Sequence, residues 1–299
     1  MKALIIGYGS IGKRHADILK GLGCEVAVVS RHKSGAYRNL ADAFDAVRPE
    51  YAVVASPTKD HGRHILELWV EMCGGRLLIE KPLLDAPRHL PVPNLVKMFH
   101  SLAVGYNLRF HPIIQALKKR LEGVTIYQAH FHVGQWLPDW RPGRDYRDCD
   151  VSGVLRDLSH ELDLLLWLCG DVTTLYGLRG KLTGLDIQHE DCASILCATE
   201  RCPQAQVSMN YIERNPRRQI VMVTDEGTLF CDLIDGTITD GNWTEEFNVA
   251  RDDTYRDMHI AMLKGDGAEN LCSLEDGLKV VNLIALIESA RNSPYERAA

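Results

Sequence analysis

The chain has 299 residues, 45% hydrophobic and 25% charged, which excludes disorder over most of its length and suits two domains better than one small module or three full ones. Its net charge of −6 divides into +5 over residues 1–110 and −11 over residues 111–299, which excludes the large basic excess of a duplex nucleic-acid binder yet suits a small phosphate beside the first third. The longest apolar run, around 162–169, falls far short of the ~20 residues that span a bilayer, and nine cysteines without a CxxC pair or a preceding signal peptide are expected to be reduced thiols of a cytoplasmic protein.

In chain order, apolar runs at 3–6, 25–29, 51–55, 76–79 and 102–106 read as strands, with helical stretches at 11–22, 41–47 and 62–72 between them. Continuous apolar strands alternating with helices predict a parallel sheet covered on both faces. Prolines at 87, 91 and 93 leave room only for a short helix before residue 100. After Arg109 the rhythm changes. Helices are predicted at 113–121, 154–168 and 273–291, the last capped by Ser273 with Asp276 three residues on. Strands are predicted at 125–133, 173–178, 192–198, 206–211, 219–223 and 228–233. The fold class that follows is α/β: a Rossmann-type doubly wound parallel sheet over 1–110, then an α+β domain over 111–299 with a large open, mostly antiparallel sheet.

Gly7-Tyr8-Gly9-Ser10-Ile11-Gly12 fits GxGxxG between the first strand and the first helix, the context a dinucleotide needs. One glycine makes the turn, one admits the pyrophosphate, one lets helix and strand pack, and the backbone of Ser10 and Ile11 opens the helix that faces it. At the end of the second strand a ribose-binding carboxylate would select NAD. Ser30-Arg31-His32-Lys33 stands there instead, which favours NADP over NAD, the alternative being a plain solvated loop.

Further motifs carry a resemblance. GYGSIGKRH at 7–15, ASPTKDH at 55–61, EKP at 80–82, GYNLRFHP at 105–112 and LRDLSHELDLLLWLCG at 155–170 together resemble the Gfo/Idh/MocA family of NAD(P)-dependent oxidoreductases over nearly the whole chain. The resemblance implies hydride transfer at a carbon–oxygen centre of a sugar, sugar acid or nucleotide-sugar. It implies that Lys81 contacts substrate and moves a proton, with Pro82 fixing the backbone beside it, and that Ser56, Pro57, Thr58, His61, Glu80 and Asn107 border the cofactor. His160 is the second catalytic candidate. Asp157 and Asp163 flank it at helical spacing, Asp157 one residue closer than the family's D-x-x-x-H-x-x-D pattern, so its catalytic part is the less secure. His111 is either a ligand or a helix-start residue.

On the substrate side Arg109 is one candidate. The loop at 135–147 gathers others, with Trp140, Arg141, Arg144 and Tyr146 as aromatic and cationic contacts for a sugar with an anionic group. Its aspartates leave a salt-bridged loop or a subunit contact as the alternative. This string resembles a subset of the family tied to surface-polysaccharide and nonulosonic-acid pathways. No metal site is expected, since His130, His132 and the cysteines at 192, 197 and 202 match no ligand pattern. An open sheet needs covering, so a homodimer or homotetramer is expected, with no nucleic-acid or membrane partner. The alternative to an enzyme is an NADP-binding sensor of the same fold without turnover.

Overall fold

The computed structural model describes residues 1–72, 74–88, 90–139, 145–148 and 151–289. In chain order these form β1 (Lys2–Ile6), α1 (Ser10–Gly21), β2 (Glu25–Val29), α2 (Leu40–Val47), β3 (Tyr51–Val54), α3 (His61–Glu71), β4 (Arg76–Ile79), α4 (Val92–Met98) and β5 (Ser101–Val104). There follow α5 (Pro112–Arg120), β6 (Ile126–Gly134), α6 (Val154–Asp157), α7 (His160–Cys169), β7 (Val172–Gly180), β8 (Cys192–Thr199), β9 (Gln204–Asn210), β10 (Arg217–Thr224), β11 (Gly227–Asp232), β12 (Thr237–Thr239) and β13 (Thr244–Glu246). The helices α8 (Asp253–Lys264) and α9 (Leu274–Ser289) come last. No helix among the described residues is long and apolar enough to cross a membrane.

Two compact units result. The first joins Met1–Phe110 to Ala250–Val281, and the second joins His111–Val249 to the chain from Asn282 onward. The chain crosses between the units after residues 110, 249 and 281, so 250–281 groups with the first unit. The reason lies in α8, whose Met258, Ala261 and Met262 pack with Ala3, Ile5, Tyr51, Val53 and Leu78 of the first unit's sheet. Fully burying one such side chain contributes about 1.5–3 kcal/mol, enough to hold the returning segment there.

The first unit's sheet has the order β2-β1-β3-β4-β5, parallel throughout. Successive strands leave β1 on opposite sides, so the gap between β1 and β3 at their carboxyl ends is a topological switch point, where ligands of open α/β sheets bind.

The second unit's sheet has the order β13-β12-β11-β10-β6-β9-β8-β7, antiparallel except for the β6–β9 pair. One row across it, Ile195, Val207, Phe131, Ile220, Cys231 and Ile238, is buried. The adjacent row, Tyr176, Leu196, Gln206, His130, Val221, Phe230 and Thr239, lies on the other face. There Tyr176, Leu196 and Phe230 are exposed.

The helix expected over 154–168 is two helices, α6 and α7, broken at Leu158-Ser159. Ser159 caps the second, so His160 opens a helix instead of standing inside one. The strands β12 and β13 and the helix α8 extend the expected set. The Ser273 cap of α9 is present, its hydroxyl accepting from the Asp276 amide at 3.0 Å.

Candidate functional site

The three glycines after β1 have three different surroundings. Gly7 adopts φ +95°, its amide donates to the Val29 carbonyl at 3.0 Å, and a Cβ there would stand 2.5 Å from the Ala55 carbonyl oxygen. A Cβ on Gly12 would fall on the Gly7 carbonyl. Both positions are closed by packing. Gly9 is the N-cap of α1, without a side-chain cap, and a Cβ there would meet nothing within 4 Å. Open space thus lies in front of the helix start, where the first amides, including those of Ser10 and Ile11, have no intrahelical acceptor. A pyrophosphate fits such a cradle.

At the end of β2 the Ser30 hydroxyl accepts from the His32 and Lys33 amides, each at 3.3 Å. Arg38 donates to the carbonyls of Ser30 and Arg31. Lys33 Nζ lies 4.8 Å from the centroid of the Tyr8 ring, and Arg31 is exposed. The loop therefore carries three cations, Arg31, Lys33 and Arg38, and no carboxylate over 30–38. Arg38 escaped the sequence reading because it lies eight residues beyond Ser30, and only the loop's return brings it back.

After β3 and β4 two expected cofactor residues turn inward. His61, expected beside the cofactor, is buried, its Nε2 at 2.9 Å from the Ser56 carbonyl and its Nδ1 at 3.2 Å from that of Leu83. It ties the loop after β3 to the segment after β4. Burial, opposed by these backbone bonds and by Glu80, lowers its pKa. The Glu80 carboxylate is buried too, 2.8 Å from His15 Nε2, while its second oxygen accepts from the Lys81 amide at 3.2 Å. Gly105 leaves it room, since a Cβ there would approach Glu80 Oε1 to 2.8 Å. The Lys81–Pro82 bond is cis, and Lys81 is half-buried. Ser56 and Thr58 are half-buried and Pro57 is exposed, Ser56 Oγ standing 2.9 Å from His64 Nδ1.

After β5, Asn107 Nδ2 donates to Thr254 at 2.7 Å, leaving its buried Oδ1 without a hydrogen bond among the described residues. Arg109, expected to bind substrate, is 2% exposed and bonds to Asp276 at 3.2 Å. Burial and this pairing give it a structural contact that the sequence reading did not anticipate.

In the second unit His160 is buried at the start of α7. Asp157 accepts from the Tyr211 hydroxyl at 2.6 Å and from the Ser152 amide at 3.2 Å. The helix break removes the continuous-helix spacing by which Asp157 was expected to orient His160. Beside His160, Glu161 is buried and takes a forked pair from Arg218, at 2.6 and 3.1 Å. His111 is the helix-start residue of its two alternatives: its Nδ1 accepts from the Ile113 amide at 3.2 Å and caps α5. Its pKa is lowered to about 4, chiefly by burial and then by the charge of Arg218. The Tyr146 hydroxyl accepts from the Asp186 amide at 3.0 Å, and Arg147 forks onto Asp145. Trp140, Arg141 and Arg144 lie outside the described residues. Arg214, which no motif marked, stacks 3.4 Å from the centroid of the Trp136 ring. Among the described residues no group of three or more His, Cys, Asp or Glu side chains could hold a metal ion.

Residues 118–230 match the family model of the GFO/IDH/MocA C-terminal domain. No curated protein sequence matches the chain. Among solved structures, UDP-N-acetylglucosamine 3-dehydrogenase GnnA from Acidithiobacillus ferrooxidans superposes with a TM-score of 0.76 at 19% identity, over 96% of each chain. The WlbA dehydrogenase from Bordetella pertussis, solved with NADH and UDP-GlcNAcA, gives 0.75 at 21% identity, over 96% of this chain and 95% of its own. Myo-inositol 2-dehydrogenase from Lactobacillus plantarum gives 0.73 at 17% identity, over 96% of each chain. The family model thus covers much of the second unit, and over the whole chain the fold is the one these dehydrogenases share.

Proposed function

We propose that the protein is an NADP-dependent oxidoreductase acting on a hydroxyl-bearing carbon of a sugar, sugar acid or nucleotide-sugar. The observation that carries this reading is the pairing of an open glycine cradle after β1 with Lys81 at the end of β4, at the ligand-binding end of one parallel sheet. The nicotinamide, when bound, supplies the hydride acceptor or donor. The chain's part is to bind and to move a proton. Gly9 and the first amides of α1 would hold the pyrophosphate, and Ser30, Arg31, Lys33 and Arg38 a 2′-phosphate. Asn107 Oδ1 is an acceptor available to the cofactor's amide. Lys81 would take or give the proton of the reacting hydroxyl, with His160 as the second acid–base group.

The substrate class follows the company the chain keeps. GnnA is named for UDP-N-acetylglucosamine, WlbA was solved with UDP-GlcNAcA, and a third neighbour is an inositol dehydrogenase. An anionic group on the substrate would suit Arg141, Arg144 and Tyr146. A homodimer or homotetramer would cover the exposed apolar residues of the second unit's sheet.

The test is to mix purified protein with NADP or NAD and a panel of UDP-N-acetylglucosamine, UDP-GlcNAcA and myo-inositol, and to follow nicotinamide absorbance. Turnover is expected with a panel member, faster with NADP, and reduced about 10²–10⁴-fold in Lys81→Ala. Cofactor binding that Lys81→Ala leaves unchanged, with no turnover across the panel, would favour a sensor.

A further inference from the structure

Four buried polar side chains of the first unit stand in line. Tyr51 Oη lies 2.8 Å from His259 Nδ1, His259 Nε2 lies 2.8 Å from His15 Nδ1, and His15 Nε2 lies 2.8 Å from Glu80 Oε1. Tyr51, His15 and His259 are wholly inaccessible to solvent. They come from β3, from α1 and from α8 respectively, and Glu80 follows β4. The line ends beside Lys81, because Glu80 Oε2 accepts the Lys81 amide proton.

Only one placement of protons uses every donor and acceptor. A carboxylate only accepts, so His15 Nε2 donates to Glu80. The Nδ1 of a neutral His15 then accepts, so His259 Nε2 donates. The Nδ1 of His259 accepts in turn from the Tyr51 hydroxyl, the donor in reach among the described residues. Burial, reinforced by His15, holds His259 well below the usual imidazole range, and burial pushes the Tyr51 hydroxyl well up. Both are therefore neutral near pH 7. The other groups facing the line are Tyr255, edge-on to His15 at 5.7 Å, the Arg14 stacked on Tyr255, Cys24 and Arg76 near Tyr51, and His61 near Glu80.

We propose that Tyr51, His259 and His15 form a one-way donor chain ending on Glu80, and that with Glu80 they are positioning residues that hold Lys81 just past the carboxyl end of β4. The proposal rests on the reading of Lys81 as the proton-handling residue. Each link fixes the next: the carboxylate is held by an imidazole whose tautomer is held by a second imidazole, itself held by a phenol.

Two measurements test it without a substrate. In protein labelled with ¹⁵N-histidine, long-range proton–nitrogen spectra at pH 7 are expected to show His15 and His259 both as Nε2–H tautomers, assigned through Tyr51→Phe and His15→Gln. An Nδ1–H tautomer at either, or a doubly protonated His15, overturns the chain. Reductive methylation with formaldehyde and cyanoborohydride, read by mass spectrometry, then compares Lys81 with the exposed Lys59 in one molecule. Glu80→Gln and His15→Leu are expected to speed Lys81 by at least about threefold relative to Lys59, while His15→Gln, which keeps a donor and an acceptor, restores the ratio to within about twofold of wild type. An unchanged ratio in Glu80→Gln, or equal damage from His15→Gln and His15→Leu, overturns the positioning role. Glu80→Gln is isosteric and carries the test should His15→Leu fail to fold. If both results hold while Lys81→Ala keeps full turnover, the catalytic reading of Lys81 fails and the donor chain stands.

Discussion

Arg109 and Asp276 form an ion pair at 3.2 Å in which the cation is the buried member, 2% exposed against 37% for the carboxylate. The guanidinium also points at the Leu271 carbonyl, 3.5 Å away. Removing the carboxylate leaves a buried charge short of its counter-ion, which costs about 3–5 kcal/mol for a fully buried pair and less where one partner meets water. Asp276→Asn keeps the backbone amide that Ser273 caps, so it isolates this loss. It is expected to lower stability in urea by about 2 kcal/mol while changing NADP affinity less than about twofold. A selective loss of ligand affinity at unchanged stability would return Arg109 to the binding surface.

The surroundings of Gly9 and Gly12 separate binding from folding. A Cβ on Gly12 collides with backbone, whereas a Cβ on Gly9 enters open space. Gly12→Ala is expected to lower both the melting temperature and cofactor affinity. Gly9→Ala is expected to leave the melting temperature within a few degrees and to weaken NADP by about tenfold or more, because the added methyl stands where a pyrophosphate would approach the helix start. Calorimetry of both variants with and without NADP distinguishes the two effects.

Much of this was legible in the residues, and the parts that were not have physical causes. Continuous apolar runs and the glycine fingerprint located β1 to β5 and the cradle, because a strand buried on both faces leaves a plain local mark. The spacing of Thr254, Met258, Ala261 and Met262 was a helical signal too, but which unit it joins depends on Ala3, Ile5 and Val53, far away in the chain. The break between α6 and α7 has no proline or glycine to announce it; Leu155, Leu158, Leu162 and Leu165 keep an unbroken helical rhythm. Motifs located Glu80, His61 and Arg109 at strand ends, yet position along a strand does not say whether a side chain faces ligand or core. The burial of all three became visible only in the fold.

The loop after β2 makes the cofactor preference testable. Arg31 is exposed and its guanidinium has no partner among the described residues, whereas Arg38 is spent on the carbonyls of Ser30 and Arg31. Arg31→Ala is therefore expected to weaken NADP by about tenfold and leave NAD within about twofold, a guanidinium–phosphate contact being worth roughly 1.5–3 kcal/mol. Arg38→Ala should weaken both, since it loosens the loop itself. Fluorescence titrations with both cofactors check this, and tighter NAD binding by the unaltered protein would overturn the preference.

His111 predicts an acid limb to the stability of the second unit. Its pKa is about 4 in the fold, against about 6.5 in an unfolded chain. Between those values the unfolded chain binds the extra proton, so stability is full above about pH 6.5 and is lost as pH falls toward 4. His61 and His259, lowered in the same direction, add to the slope in the first unit. His111→Asn keeps a side-chain oxygen that can cap α5 and removes the titration. The difference in unfolding free energy between pH 7 and pH 5 is expected to shrink by about 2 kcal/mol in that variant. An unchanged difference would mean that the fold does not lower the pKa of His111.

The last prediction concerns the exposed row of the second unit's sheet. Tyr176 pairs with Leu196 across β7 and β8, and Val221 with Phe230 across β10 and β11, all on one face. Two pairs of apolar side chains in one row across seven strands are unusual on a surface left to water, where single ones are ordinary. A second copy of the same face would cover them symmetrically. Leu196→Glu combined with Phe230→Glu is expected to convert a dimer or tetramer to smaller species in sedimentation velocity. Both side chains point away from the buried row, so helix content and first-unit cofactor binding should remain. A wild-type protein that sediments as a monomer at micromolar concentration, or a double variant that sediments as wild type, would show that this face is not the interface.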